Sequence, residues 1–301
     1  MTGERAGRAR ADLPWPREAA EAAEPACRLV APCSNIVLDI HGDPARARLV
    51  VFSDGNHHMA LAETIRAFAA AHPDIGDVLY LTTPPRILIA ALASGRLSLG
   101  HLTLSLRPHV FISPREVLGR LHSDGLIGPP RVFAASRGTA ILVRKGNPLG
   151  VRTLEDLLRP DVRLALSNPV TETASFTVYA EAIRDALKAS PQVSTSDQLM
   201  RHLESGQVVK SRLIHHREIP EILAEGRADA SLVYTHLALR YARVFPELFE
   251  MIPATAGPVT TYAVACVAPA GDFGEGFAAY LVGREVGRIY EAHGLQAAGA
   301  V

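Results

Sequence analysis

The chain is poor in the features that mark most specialised protein classes. Its three cysteines, Cys27, Cys33 and Cys266, are too few and too unevenly spaced for a disulfide framework or a zinc ribbon. Neither sign of charge is in excess, because Lys plus Arg and Asp plus Glu each total 31. No basic surplus is therefore left to neutralise phosphates, and a nucleic-acid partner is not expected. No apolar run approaches the roughly 20 residues that span a bilayer, so a soluble chain without direct membrane insertion is expected. GxSxG, P-loop and GxGxxG patterns are also missing. With no nucleophile or dinucleotide motif, neither catalysis nor a cofactor is expected.

The first 30 residues carry charges but no apolar stretch of signal-peptide length. LVAPC at residues 29–33 has the outline of a lipoprotein cleavage site, but Pro32 precedes the cysteine and no apolar segment leads into it. As written, the segment reads as a flexible arm rich in Ala, Glu and Arg, and the chain as cytoplasmic.

What the sequence does contain, from Arg48 onward, is an alternation of short apolar runs and amphipathic segments, the signature of an α/β architecture. LVVFS (49–53), DVLYLT (77–82) and HVFIS (109–113) read as strands. Helices are expected at Met59–Ala71, over ILIAALAS with Gly95 as its stop, and over EVLGRLHS with Gly125 as its stop. Residues 132–148 read as one long strand crossing between lobes. Beyond it are expected a helix at Thr153–Leu158, a strand at 162–167, and helices at Ser175–Ala189 and around 197–205. A short helix at Pro220–Glu225, strands at 230–234 and 260–268, and one terminal helix at Phe273–His293 complete the pattern.

Several expected strands end in a hydroxyl or amide side chain: Ser53, Thr82 and Thr83 before Pro84 and Pro85, Ser113 before Pro114, and Asn168 before Pro169. Such residues cap helices, and proline fits a helix's first turn. The carboxyl ends of strands in an open α/β sheet form the ligand crevice, and helix starts turned towards it attract anions without any cationic side chain.

Twelve histidines form the second unusual feature, with pairs at His57/His58 and His215/His216. Neutral imidazole titrates near pH 6.5, so a histidine-lined cleft would gain positive charge on mild acidification. The same pairs leave open a transition-metal-binding protein, although neighbouring positions on a helix point about 100° apart. Asp54, Glu172 and Glu218 are carboxylates near the presumed crevice, and Glu218 also suits a helix's first turn. Cys266, within an apolar strand, reads as an inert buried thiol.

Four segments carry a family resemblance: RPHVFISPREVLGRLHSDGLI, VRKGNPLGVRTLEDLLRPDVRLALSNPVTETASFTVYAEAI, EGRADASLVYTHLA and FAAYLVGREVGRIYEAHGL. Together, over roughly residues 48–297, they resemble the molybdate- and tungstate-binding proteins of transport systems. The resemblance implies a two-lobed α/β fold of the type II periplasmic-binding-protein kind, with crossing strands as hinge. It also implies a non-enzymatic role, closing on a small anionic ligand for a membrane transporter permease. The lobes would span 48–132 plus 258–301 and 133–257, with residues 1–47 as the arm. A family role would place the chain in the periplasm or at the cell surface if its start is misassigned, whereas an intracellular ligand-sensing module would not need export.

Through the resemblance, Ser53 would supply a hydroxyl, Thr173, Ala174 and Ser175 backbone donors, His216 a further donor at a helix start, and Tyr234 a phenolic hydrogen bond. Asn56, His57, Thr82, Thr83, Ser113, His215 and Arg217 complete the candidate ligand-binding set. The sequence departs from the family where a Ser-rich turn is usual. Pro84 and Pro85 remove backbone donors there, and Arg86 could instead pair with a carboxylate or phosphate-like group.

Overall fold

The computed structural model describes residues 27–30, 37–99, 101–188, 196–212 and 215–298. Most of the expected arm, residues 1–26 and 31–36, lies outside these, as does Cys33. Two short strands fall within the segment assigned to the arm: β1 (Cys27–Val30) and β2 (Val37–His41) pair as an antiparallel edge.

The alternating pattern then unfolds in order. β3 (Ala47–Ser53) leads into α1 (His58–Ala71), and β4 (Asp77–Thr82) into α2 (Pro85–Ser94). A two-stranded hairpin, β5 (Arg96–Leu99) with β6 (Leu102–Ser105), had no counterpart in the sequence reading. β7 (Val110–Pro114), α3 (Arg115–Ser123) and β8 (Arg131–Ala135) complete the first pass through lobe 1.

The single long strand expected at 132–148 is two strands, because Ser136–Gly138 separate β8 from β9 (Thr139–Arg144), which belongs to another sheet. Lobe 2 continues with a 3-10 turn at Glu155–Leu158, β10 (Leu164–Leu166), α4 (Thr173–Lys188), α5 (Ser196–Glu204), β11 (Val209–Lys210) and α6 (His215–Ala224). α6 starts five residues before the expected helix and contains Pro220 within it. β12 (Ala230–Tyr234), α7 (Thr235–Val244) and β13 (Phe249–Ala256) follow. The chain returns through β14 (Thr261–Cys266), and the expected terminal helix is broken at Val282 and Gly283 into α8 (Gly271–Leu281) and α9 (Arg284–Ala292), before β15 (Gln296–Ala297).

Two mixed sheets result, in the orders β1-β2-β4-β3-β7-β14-β8-β15 and β11-β10-β12-β9-β13. Period-two alternation explains how the first is covered on both faces. Leu49, Val51, Val78, Tyr80, Val110 and Ile112 join one core, whereas Phe52, Leu79, Leu81 and Phe111 join the other. Both faces being apolar, no strand of the sheet's centre shows the polar alternation of a half-exposed one.

The chain crosses between sheets twice, at 136–138 and 257–260, and the two crossings are bonded to each other. The Ser136 amide donates to the Thr260 carbonyl at 2.8 Å, and the Thr260 amide donates to Ser136 Oγ at 2.8 Å. Gly257, at the start of the return crossing, has φ +92, and a Cβ there would lie 2.8 Å from the Ala182 Cβ. Left-handed backbone and overpacking therefore both oppose a side chain at this position. Gly257→Ala is expected to lower stability by about 1–3 kcal/mol in urea unfolding, and an unchanged midpoint would show that the crossing relaxes freely.

Candidate functional site

A cleft of about 850 Å³ opens between the two sheets, within the size range of small-molecule sites. Its walls are the strand-to-helix junctions of both lobes. Lobe 1 contributes Asp54–Asn56 from the turn before α1, Pro84–Arg86 from the start of α2, and Pro114 with Glu116, Arg120 and Asp124 along one face of α3. Lobe 2 contributes residues 170–175 ahead of and into α4, then Thr177, Val178 and Glu181 one turn and two turns further along that helix. His216 of α6, Tyr234 at the end of β12, and Pro258–Thr260 of the return crossing close the back.

Local chemistry fixes each junction. Asn168 Oδ1 accepts the amides of Val170 and Thr171 at 2.9 and 3.2 Å, turning the chain so that α4 begins at the cleft. Pro85 occupies the first turn of α2, and Pro114 directly precedes α3. Across the lobes, Asn56 presents its carbonyl to His236 Nε2 at 2.7 Å. Gly55 lies so close to α6 that a Cβ on it would stand 1.9 Å from His216 Cε1. Tyr234 reaches the return crossing through a 3.1 Å hydrogen bond between its hydroxyl and Thr260 Oγ1.

Of the candidate residues, Asn56, Arg86, Thr173, Ala174, Ser175, His216 and Tyr234 lie on the cleft lining. Ser53, His57, Thr82, Thr83 and Ser113 are buried and do not. Register explains Ser53: it shares a sheet face with Leu49 and Val51, which turns its hydroxyl into the core. There it donates to the Asp54 carbonyl at 2.9 Å and lies 3.3 Å from His57 Nε2. The side chains of His215 and Arg217 lie outside the described residues. Residues the sequence reading left out of its ligand-binding set include Thr171, Glu172, Thr260 and the Glu116, Arg120, Asp124 stripe. The i, i+4, i+8 spacing of that stripe was a usable signal.

Two of the buried histidines are held in the neutral form. Burial drives His57 down to about 3, with His236 and His216 adding to the shift, and burial likewise drives His236 down to about 4. Both stay neutral through mild acidification, so neither of these two adds the positive charge that acid was expected to bring. Nor does the metal reading find a ligand set. Among the described residues no group of three or more His, Cys, Asp or Glu side chains is placed to hold a metal ion. His57 Nδ1 instead bonds the Tyr290 hydroxyl at 2.8 Å, and His58 Nδ1 bonds the Gly55 carbonyl at 2.9 Å. Cys266 is free and half-buried, with burial raising its thiol away from the reactive range.

Asp54 is the exceptional group. Its side chain is 2 % exposed, at the tip of β3. Oδ1 accepts the Asn56 amide at 3.3 Å and lies 3.4 Å from His57 Nε2, while Oδ2 is buried with no hydrogen-bond partner among the described residues. Burial pushes this carboxyl up from 3.8 to about 7, against the smaller opposing effect of the Asn56 amide. Thr171 Oγ1, on the facing wall, is likewise buried with no hydrogen-bond partner among the described residues.

Two α/β lobes on paired crossing segments, with their strand ends around one shared hollow, define a two-lobed solute-binding protein with the type II periplasmic-binding-protein fold. The chain belongs to the family of bacterial extracellular solute-binding proteins, whose sequence pattern matches residues 49–296. It is thus a binding protein and not an enzyme. A search of curated protein sequences found no match. Among solved structures, the sulfate-binding protein SubI from Mycobacterium tuberculosis H37Rv is similar with TM-score 0.63 and 17% identity, covering 84% of this chain and 86% of that one. The periplasmic molybdate-binding protein of Azotobacter vinelandii aligns with TM-score 0.58 and 17% identity over 82% of this chain and 98% of its own. Iron-bound HitA from Pseudomonas aeruginosa aligns with TM-score 0.57 and 14% identity over 84% and 89%. At these identities the likeness establishes the fold and leaves the solute open.

The Asp54 carboxyl sets a pH dependence whose sign follows from linkage. Between the ordinary value of 3.8 and about 7, the folded chain keeps a proton that the unfolded chain releases. Stability is therefore full below that window, falls as pH rises through it, and is lower by roughly 4 kcal/mol above it. Asp54→Asn removes this loss, so the variant is expected to unfold at a higher temperature than the natural chain near pH 8 and to lose that advantage near pH 4. Equal differences at both pH values would mean that Asp54 ionises as an ordinary carboxyl.

Proposed function

We propose that the chain closes its two lobes over a small anion and presents it to a membrane transporter permease. One observation carries the reading: helix starts from both lobes converge on a single cleft, at Asp54–Asn56, Pro84–Arg86, Pro114–Glu116, Thr171–Ser175 and His216. Each helix start presents about half a positive charge and amide hydrogens not used within the helix. Together these would attract an anion in the absence of a surrounding cage of cations.

The side chains support this backbone-led mode and also restrict the ligand. Asp54, Glu116, Asp124, Glu172 and Glu181 line the cleft together with only Arg86 and Arg120 as guanidinium groups. Net side-chain charge thus opposes a highly charged oxyanion, and the attraction must come from amides and hydroxyls. Thr173, Ala174 and Ser175 would donate from α4, Asn56 and His216 from the two facing turns, and Tyr234 from its phenol. Arg86 stands where the two prolines withhold backbone donors and would supply the charged contact on that wall. Delivery to a permease follows from the family's general role, with closure of the lobes as the signal that the partner reads.

Titration calorimetry and thermal shift against phosphate, sulfate, molybdate, tungstate and small carboxylates test the proposal. At least one anion is expected to release or absorb heat and to stabilise the fold by about 2.7 kcal/mol at 100 times its dissociation constant. Silence from all of them, with the chain folded, would reject the anion reading.

A further inference from the structure

We infer that the cleft takes an organic acid of single negative charge, with its carboxylate at the helix starts and an apolar body along the first two turns of α2, α3 and α4. This inference rests on the anion reading above and narrows it to a chemical class.

The cleft is large for an inorganic oxyanion. At about 850 Å³ it matches sites that enclose organic ligands with an apolar body. A bare tetrahedral oxyanion is little larger than a few waters, each of about 30 Å³ in the liquid, and would leave most of the hollow to solvent.

Polar and apolar groups separate along the helices that wall the cleft. On α2 the lining passes from Pro85 and Arg86 to Ile89, one turn further on. On α3 it passes from Pro114 to Val117 and Leu121, at i, i+4 spacing on one face, and on α4 from residues 171–175 to Val178. Ile89, Val117 and Val178 are half-buried, each packed on a core while still contributing to the cleft wall. Glu116, Arg120 and Asp124 run beside this strip on α3 and are exposed.

Two further apolar groups stand open at the same place. Among the described residues four large hydrophobic side chains are exposed, and two of them, Val170 at 68 % and Val259 at 54 %, line this cleft. Scattered single residues of that kind are ordinary, but apolar groups gathered round one hollow mark a ligand groove. A hydrated oxyanion would leave them wet. A hydrocarbon or aromatic body would cover them.

Charge limits the other end of the ligand. Besides Asp54, the carboxylates Glu116, Asp124, Glu172 and Glu181 face only Arg86 and Arg120 on the lining, so each added negative charge on a ligand meets more repulsion. A carboxylate brings the least. Donors rather than cations receive it on the lobe 2 wall, where α4 begins and Thr171 Oγ1 is buried with no hydrogen-bond partner among the described residues.

The test sets the full chain near pH 8 against acetate, butyrate, hexanoate and benzoate in titration calorimetry and thermal shift. Hexanol serves as the uncharged control, and phosphate, sulfate and molybdate as bare oxyanions. A fully buried methylene is worth about fourfold in affinity, so hexanoate is expected to bind ~30-fold or more tightly than acetate, with butyrate between them. Hexanol is expected to bind at least about tenfold more weakly than hexanoate, lacking the charged hydrogen bonds of the head. A chain carrying both Val170→Ser and Val259→Ser, and a second carrying Val117→Ser, are each expected to lower the hexanoate-to-acetate ratio about threefold or more. Acetate binding as tightly as hexanoate and benzoate, or a bare oxyanion binding more tightly than every organic acid, would overturn the inference and leave the anion reading standing. So would an unchanged ratio in both variants. Val170 and Val259 are exposed, so the doubly substituted chain remains decisive if Val117→Ser does not fold. Hexanol matching hexanoate, or no response to any probe, would instead remove the anion reading and the inference with it.

Discussion

Two crossing segments, bonded to one another, hold this molecule's architecture together. Ser136 and Thr260, 124 positions apart in the chain, exchange a pair of 2.8 Å hydrogen bonds where the backbone passes between sheets. Part of the cleft's polar lining is bonded to that junction. Tyr234, the last residue of the central lobe 2 strand, reaches it by its hydroxyl, and the Thr235 amide bonds the Gly138 carbonyl beside it. Lobe 1 approaches from the other side, where Asn56 and Gly55 meet His236 and His216.

Burial at the base of the cleft imposes a second constraint. A polar group withdrawn from water must find a partner or change its charge state. His57 found partners on both ring nitrogens and is neutral. Asp54, one turn of chain earlier, found a partner for one oxygen only among the described residues, and burial raises its proton affinity. An acid held close to its neutral form beside the cleft couples proton uptake to stability.

Much of this was legible in the residues. Period-two and helical patterns located β3, β4, β7, β10 and β12 and most of the helices between them, and ran β8 and β9 together, because each element's burial is written in its own neighbours. The polar tips before prolines marked where strands give way to helices, and seven of the candidate residues do line the cleft. What sequence could not supply was direction. Ser53, Thr82 and Ser113 have the right chemistry at the right strand ends, yet side-chain alternation turns them into the core. The β5–β6 hairpin, residues 235–256 and the break at Gly283 went unread, since short amphipathic pieces carry little periodic signal. Thr260 escaped for a different reason: its place on the cleft arises from pairing with a residue far away in the chain.

The central claim is that one small anion is held by both lobes at once, with the turn before α1 on one side of it and the turn before α4 on the other. A crystal structure of the full chain, grown with whichever of phosphate, sulfate, molybdate, tungstate or a small carboxylate stabilises it most, addresses it directly. The account predicts density for that anion in the cleft, against the amides or hydroxyls of residues 54–56 and 171–175. The same anion bound elsewhere on the chain, with the cleft empty and the protein folded, would contradict the account.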